Sequence, residues 1–443
     1  MAATTRGRRG WPRVNDNDRS IVGFVMLAHA VVHTYELSIP ILLVIWLQEF
    51  PVGTGLLGTV VAVGYALFGI GALPAGVLAD RFGSHRLVIA CLVGMGASFL
   101  LLGLAPGVVT ITVALALWGL AASVYHPAGL SLISTGVEDR GTGFAYHGVA
   151  GNVGIAVGPL VTALLLLVFD WRLVSMLLVV PAVLGAIYAV SVEFDPRAAV
   201  DIEEADAATD GGGTADADGT GDGADEAMSF DQFVADSRTL FAGGFAVVFL
   251  IVMMNGLFYR GTLTFLPGLL GDFLPDVASR LQLFAPDSPM AEEFDASSYL
   301  YSGLLMVGIA GQYVGGKLTD RVRVETGLIG VFLGLAAVAA VFVPAAEAGL
   351  GPLVIVSSLL GFLLFALQPF YQATVAEYSP PDDRGLSYGY TYLGSFGVGA
   401  AGAALVGSLL SVTTVGWTFR VLGAFPVVGA VLAGALLRSA RFR

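Results

Sequence analysis

Twelve apolar stretches, most of them 20 residues or longer, decide what this sequence can fold into. At a rise of about 1.5 Å per residue, a helix of that length crosses the roughly 30 Å hydrocarbon core of a bilayer. Six stretches lie near 20–47, 55–79, 87–105, 108–134, 142–168 and 171–192. Six more lie near 243–270, 298–318, 324–345, 351–376, 386–412 and 416–437. Backbone polar groups find no water in lipid, so each stretch must satisfy its own hydrogen bonds as a helix. Barrel strands would instead alternate apolar and polar residues over about ten positions, a pattern absent here. The expected fold class is an all-α polytopic membrane protein with 12 transmembrane helices.

Composition excludes the alternatives. Hydrophobic residues make up 56% of the chain and charged residues 12%, whereas soluble domains carry about 25% charge. A soluble enzyme, a disordered protein and a secreted disulfide scaffold are all ruled out. The single cysteine, Cys91, lies inside an apolar run and reads as a small buried filler. The net charge of −13 is local: residues 193–236 hold 14 of the 34 acids and one base, Arg197, leaving the rest balanced. No basic groove points to nucleic acid. Of the 21 basic residues only Lys317 is a lysine. With acid-rich loops, that composition resembles proteins of salt-accumulating halophiles.

Basic residues orient the spans. With the N-terminus inside, 17 of the 21 Lys and Arg fall on cytoplasmic segments, and only Arg172, Arg280 and Arg420 fall outside, with Arg260 inside a span. Such a positive-inside bias places both termini in the cytoplasm of a multi-pass protein of the cell membrane. The expected organisation is a cytoplasmic tail (1–19), a first six-helix bundle (20–192), an acidic disordered linker (193–238), a second bundle (239–437) and a short tail (438–443). No cleavable signal is expected, because the first apolar run is too long for a signal core. The stretch 271–297 reads as an extracellular loop, either simply solvated or a screening lid.

The two halves repeat. GVLADRFGSHR (76–86) is echoed by GKLTDRVR (316–323), which aligns Gly76, Asp80 and Arg81 with Gly316, Asp320 and Arg321 at an offset of 240. DRGTGFAY (139–146) is echoed by DRGLSYGY (383–390) at an offset of 244, and Gly158 falls opposite Gly402. Two unrelated motifs at nearly one offset indicate two homologous bundles. Repeats of this kind place a substrate site near the bilayer midplane, between the bundles.

The duplicated G-x-L-x-D-R-x-G-x-x-R loop and the six-plus-six architecture resemble the major facilitator superfamily across nearly all of residues 20–437. YHPAG (125–129) and YHGVAGNVGIAVGPL (146–160) are similar to fosmidomycin-resistance-type efflux members. The resemblance implies two pseudo-symmetric six-helix bundles that rock about a central cavity. It implies a cytoplasmic gating motif built from Gly76, Asp80, Arg81, Gly83 and Arg86, with Asp139 and Arg140, and from Gly316, Asp320, Arg321, Asp383 and Arg384 in the second half. Asp80 would then cap the span that starts near 386, and Arg81 and Arg86 would pair with Glu138 or Asp139. Simple caps and topology determinants are the plainer reading. The resemblance also implies that glycine-rich spans 2, 5, 8 and 11 form the interface between the halves, through Gly154, Gly158, Pro159, Gly311, Gly315 and Gly402 among others. GIAVGP (154–159) is part of a glycine-proline motif of drug–proton antiporters, although Thr162 and Ala163 replace its paired glycines and Ala145 an upstream one. Leu115 stands where many proton-driven antiporters of the superfamily carry an arginine, so any coupling must use other groups.

Ionisable residues inside a span cost about 2.5–3.5 kcal/mol on insertion scales and need a reason. His29, His33 and Glu36 are spaced i, i+4 and i+7 on one face of span 1. Span 1 lines the cavity in the superfamily, so Glu36 with His33 reads as a proton site, as a structural hydrogen-bonded pair, or as a substrate contact. His126 and His147 lie at a depth like that of His29 and suggest a polar cluster. Histidines at one depth also suggest a metal, but no cysteine or acid stands at matching depth, and no metal is expected. Arg260 in span 7 reads either as an anchor for an anionic substrate or as a partner for Glu36 across the cavity. Gln368, Tyr371 and Gln372 of span 10, with Tyr35, Tyr125, Asn255 and Tyr259, complete the candidate lining.

No nucleotide-binding loop of the G-x-x-x-x-G-K-[ST] type occurs. The expected function is a secondary active transporter, a monomer without cofactor, that moves a small organic solute by alternating access. Proton-coupled efflux is the leading mode, proton-coupled uptake of an organic anion the nearest rival. A membrane enzyme or receptor on the same fold is the alternative of another class. The expected partners are a small-molecule substrate, protons and the lipid bilayer, and not nucleic acid.

Overall fold

The structure is a computed structural model that describes residues 15–200, 230–274, 294–379 and 384–439. Twelve helical spans follow one another: α1 (Asp16–Glu49), α2 (Thr54–Phe82), α3 (Ser84–Gly103), α4 (Val108–Gly136), α5 (Arg140–Leu166) and α6 (Trp171–Ser191), then α7 (Phe245–Asp272), α8 (Ala296–Thr319), α9 (Val324–Glu347), α10 (Leu350–Tyr378), α11 (Gly385–Val412) and α12 (Val415–Arg438). Eleven of them are long and apolar enough to cross a bilayer. The exception is α8, whose 24 residues are interrupted by Ser297, Ser298, Ser302, Gln312 and five glycines. Its length alone spans the core, and its polar residues are sheltered by packing on α10.

Helix ends are set by short-range chemistry. The Asn15 side chain accepts from Asp18 N at 2.6 Å and starts α1. Asp170 accepts from Arg172 N and Leu173 N, and Thr414 from Trp417 N, at the starts of α6 and α12. Between α2 and α3 a single residue turns the chain, Gly83 at φ +82°, where any side chain would be strained.

The internal repeat is visible in the packing. In the first half α1 lies on α5, α2 on α4 and α3 on α6; in the second, α7 lies on α11, α8 on α10 and α9 on α12. The halves meet along α2 with α11, α5 with α8, and α1 with α7. An even number of spans puts both chain ends at one end of the molecule, here the terminal end; the opposite end is distal. At the distal end Thr54 Oγ1 donates to Gly407 O at 2.8 Å, and Tyr299 OH approaches Ala163 O at 3.5 Å. Nearer the terminal end, a Cβ added to Gly389 of α11 would lie 3.3 Å from Leu73 of α2.

The segment expected as a disordered linker is ordered at both edges. After α6 the chain is tied to α1, with Asp195 N donating to Asn17 Oδ1 at 2.7 Å and Asn17 Nδ2 donating to Asp195 O at 3.1 Å. Before α7 a short helix, Phe230–Phe241, lies against α11: the Phe241 and Tyr390 rings are 4.8 Å apart, and the Ser237 and Tyr390 hydroxyls are 2.9 Å apart. Acid content misled the expectation, because Phe233, Val234, Leu240 and Phe241 give that end enough apolar surface to dock. Residues 201–229, and most of the loop expected over 271–297, lie outside the described residues.

Candidate functional site

The centre of the molecule holds one charge from each half. Glu36 of α1 is 1% exposed and Arg260 of α7 is 4% exposed. The Arg260 guanidinium donates through Nη1 to Glu36 Oε1. Neither charge could stay buried alone, because the interior repays desolvation only through a close partner. Of the two readings of Arg260, the pair across the halves is the one formed here.

Glu36 faces a chain of histidines on its other side. Its Oε2 lies 2.6 Å from His33 Nδ1, and His33 Nε2 lies 3.0 Å from His29 Nε2. His29 Nδ1 lies 2.7 Å from the carbonyl oxygen of His147. A carbonyl can only accept, so His29 Nδ1 carries a proton. A carboxylate paired with arginine also accepts, so His33 Nδ1 carries one too. With both Nδ1 atoms protonated, the two neutral rings turn their Nε2 lone pairs towards each other. His126 and His147 complete the cluster, with ring centroids 5.2 Å and 3.8 Å from His29. His126 Nδ1 and His147 Nε2 are buried and have no hydrogen-bond partner among the described residues.

Aromatic rings enclose the arginine. Its guanidinium carbon lies 4.1 Å from the Phe396 ring centroid, 4.3 Å from Tyr65 and 5.2 Å from Tyr259. Desolvated cation–π contacts of this kind are worth about 2 kcal/mol. Phe396 belongs to a π-helical turn, Leu393–Val398, in α11. Such turns are common at functional sites. Phe68 links Phe396 to His126, with centroids 4.3 Å and 5.8 Å away. Tyr65, Phe68, Tyr392 and Phe396 are absent from the sequence-based lining, because aromatic residues in an apolar run carry no mark that separates a cage from ordinary core.

Other candidates divide. Asn255 and Tyr259 are buried on α7, and Tyr371 is half-buried on α10 with Gln372 exposed beside it. Gln368 is half-buried on the same helix. Tyr35 does not line the centre: its ring stacks on Phe99 at 4.1 Å and its hydroxyl donates to Leu178 O at 2.6 Å, inside the first bundle. Tyr125 likewise donates to Val25 O at 2.6 Å, while its ring stacks on His29.

The loop motif is less connected than expected. Arg81 and Arg86 are exposed, and among the described residues neither forms an ion pair with Glu138 or Asp139. Asp139 instead caps α5, accepting from Thr142 N at 3.2 Å and Thr142 Oγ1 at 2.7 Å. Those bonds hold its carboxyl below the usual carboxylate range. Arg140 opens α5, Gly76 has open space around it, and Gly316, Asp320 and Arg321 close α8 with both charges exposed. Asp383 and the side chains of Asp80 and Arg384 lie outside the described residues.

The glycines assigned to the interface between halves serve another contact. A Cβ on Gly158 would come within 2.6 Å of Thr34 Cα on α1, and Gly154 meets Ala30 on the same helix, so both pack α5 on α1. Pro159 is buried on α5. Gly311 and Gly315 pack α8 on Phe362 and Ala366 of α10, and Gly402 packs α11 on Leu257 and Gly261 of α7. Small residues mark close backbone approach wherever it occurs, and here that is within each half. Between halves the role falls to Gly58 and Gly69 of α2, which meet Ala403, Gly407 and Gly397 of α11.

Two six-helix halves that repeat one packing pattern and meet at a buried charge pair define a duplicated multi-pass membrane protein. A model of the Major Facilitator Superfamily matches residues 24–274 and 248–442, and the chain belongs to that superfamily. Puromycin resistance protein pur8 of Streptomyces alboniger is 39% identical over 108 residues, 24% of this chain and 22% of that protein. A Na(+), Li(+), K(+)/H(+) antiporter of Planococcus maritimus is 29% identical over 160 residues, 34% of this chain and 37% of that one. These matches thus span well under half the length of either relative. Among solved structures, the nucleoside transporter NupG superimposes with a TM-score of 0.67 at 13% identity, over 96% of this chain and 100% of that one. The inward-open xylose transporter XylE of E. coli gives 0.67 at 14% identity, over 96% and 98%.

Proposed function

We propose that this transporter expels a small organic solute across the cell membrane in exchange for protons, as a monomer with both termini in the cytoplasm. The observation that carries the reading is the Glu36–Arg260 pair between α1 and α7. Alternating access requires the halves to move against each other, and a buried pair across them resists that motion. A proton delivered to Glu36 through His33 would neutralise the carboxylate and release Arg260. The proton and the solute would then compete for the same closed arrangement, which is the requirement of exchange. The basic residues favour the cytoplasmic placing of the termini, and the names of the resistance protein and the cation/proton antiporter favour export and exchange.

Uptake of an organic anion with protons is the second reading. Arg260 favours it, because its Nε is buried with no hydrogen-bond partner among the described residues and could meet a carboxylate, phosphate or phosphonate.

The test uses everted vesicles, acidified inside and reported by a quenched pH-sensitive dye, against a panel of phosphonates, lipophilic drugs and small organic acids. Export by exchange predicts dequenching with one class of compound, lost in Glu36→Gln. A flat response across the panel from folded protein would reject exchange. Accumulation of an organic acid in right-side-out vesicles, driven by external acid, would establish the second reading.

A further inference from the structure

We propose that His29, His33 and His126 form a binding site for one divalent transition-metal cation of borderline softness, such as Co2+ or Zn2+. One ring nitrogen from each of the three residues lies within 4.8 Å of the others, and all three side chains are buried.

Convergence alone is weak, because histidines also cluster by stacking. The outer nitrogens make the argument. A metal-ligating histidine ordinarily gives its second ring N–H to a carbonyl or a carboxylate, which fixes the ring and turns the other nitrogen to the ion. His29 does so with the His147 carbonyl at 2.7 Å, and His33 with the Glu36 carboxylate at 2.6 Å. Both rings therefore present Nε2 inward, and these two atoms are 3.0 Å apart. Two nitrogens bound tetrahedrally at 2.0–2.1 Å from one ion sit about 3.3 Å from each other. The spacing thus suits a cation held between the two Nε2 lone pairs.

The third ligand is supplied from α4. One ring nitrogen of His126, Nδ1, is buried with no hydrogen-bond partner among the described residues, a state that is costly unless a ligand relieves it. The ring is held by Phe68, Tyr392 and Phe396, whose centroids lie 5.8, 4.6 and 6.4 Å away. Three neutral imidazoles favour Co2+, Ni2+, Cu2+ or Zn2+ over Mg2+ or Ca2+, which take oxygen ligands. A three-histidine set leaves the fourth position open to water or to a donor atom of a solute.

This inference rests on the ring geometry and stands apart from the exchange reading. The test titrates Co2+ into full-length, chelator-stripped protein in detergent, read by visible absorption and calorimetry. One Co2+ per chain is expected, with the intense bands of a four-coordinate ion, displaced by Zn2+. His126→Ala and His29→Ala should each weaken binding at least tenfold, while His85→Ala should not. Thermal unfolding of the stripped variants reports folding, and His126→Asn replaces His126→Ala should the latter unfold. A metal-induced rise in the melting temperature of the wild type, absent in the folded His126 variant, is a further expected result. No Co2+ bound at hundred-micromolar concentration, or equal binding by a folded His126 variant, would overturn the proposal. A solute-driven proton signal that persists in chelator alongside such a failure would leave the exchange reading standing.

Discussion

Arg260 of α7 donates to Glu36 of α1, and the two side chains join the halves of the protein through a charge pair almost wholly shielded from water. α1 and α7 are the leading helices of the two halves, so the pair sits where the repeats face each other. Desolvating each ion costs several kcal/mol, recovered only while its partner stays in place. Separation of α1 from α7 must therefore be accompanied by a proton, a solute charge or water.

Removing one member should be worse than removing both. Glu36→Gln or Arg260→Gln alone leaves a buried charge without its partner and should cost about 3–5 kcal/mol. The double variant, which leaves no unpaired charge, should cost less than either single. Denaturation of detergent-purified protein measures all three. Additive losses would show that the pair contributes nothing as a pair.

The close approach of α2 to α11 should be intolerant of bulk. A Cβ on Gly58 would stand 2.7 Å from Ala403 O and 3.2 Å from Gly407 Cα, near the Thr54–Gly407 hydrogen bond. Gly58→Leu should cost about 1–3 kcal/mol by overpacking and pry the distal end apart. Amide hydrogen exchange over 54–58 and 403–407 should quicken, and transport should fall. Gly303→Ala, with nothing within 4 Å of the added carbon, is the matched control. Unchanged exchange in Gly58→Leu would mean that this contact does not hold the distal end.

Long apolar runs and a doubled loop motif made the spans and their pairing legible, because both are written along the chain at fixed intervals. Glu36 and Arg260 stood out because a charge in a span is costly. Their partnership was one of two options, since pairing between helices 224 residues apart is decided by packing. Tyr259 stood among the candidates, but Tyr65 and Phe396, the rest of its cage, gave no signal, because the same residues in lipid or core read alike. Gly154, Gly158 and Gly402 were read for closeness correctly and for partner wrongly, because a small residue announces a near neighbour without naming it. Tyr35 misled for the same reason, a polar atom whose acceptor, Leu178 O, lies in its own bundle.

A buried carboxylate at the start of α1 should matter more than its terminal position suggests. Asp18 is 3% exposed and accepts from Glu138 N at 3.1 Å and Asp139 N at 3.3 Å, in the link between α4 and α5. Asp18→Ala would leave those amides without their acceptor, at about 1–3 kcal/mol. Asp18→Asn keeps one acceptor oxygen and should lose less. Melting temperatures of the two variants in detergent test the order, and an Asp18→Ala protein as stable as the wild type would reject it.

The helix Phe230–Phe241 should behave as a detachable clamp on α11. Its contacts with α11 converge on one residue, Tyr390, through the Phe241 ring, the Phe233 ring at 6.4 Å and the Ser237 hydroxyl, while Phe241 also packs on Phe245 and Phe249 of α7. Tyr390 lies two residues before Tyr392 and six before Phe396, which reach His126 and Arg260 respectively. Tyr390→Ala removes all three contacts at once and should free the helix, seen as at least tenfold faster amide exchange and proteolysis over 230–241 with the spans unaffected. Tyr390→Phe keeps the rings and loses only the hydroxyl pair, about 1 kcal/mol, so its exchange should quicken only severalfold. Equal protection of the helix in Tyr390→Ala and the wild type would show that it is held by contacts other than these.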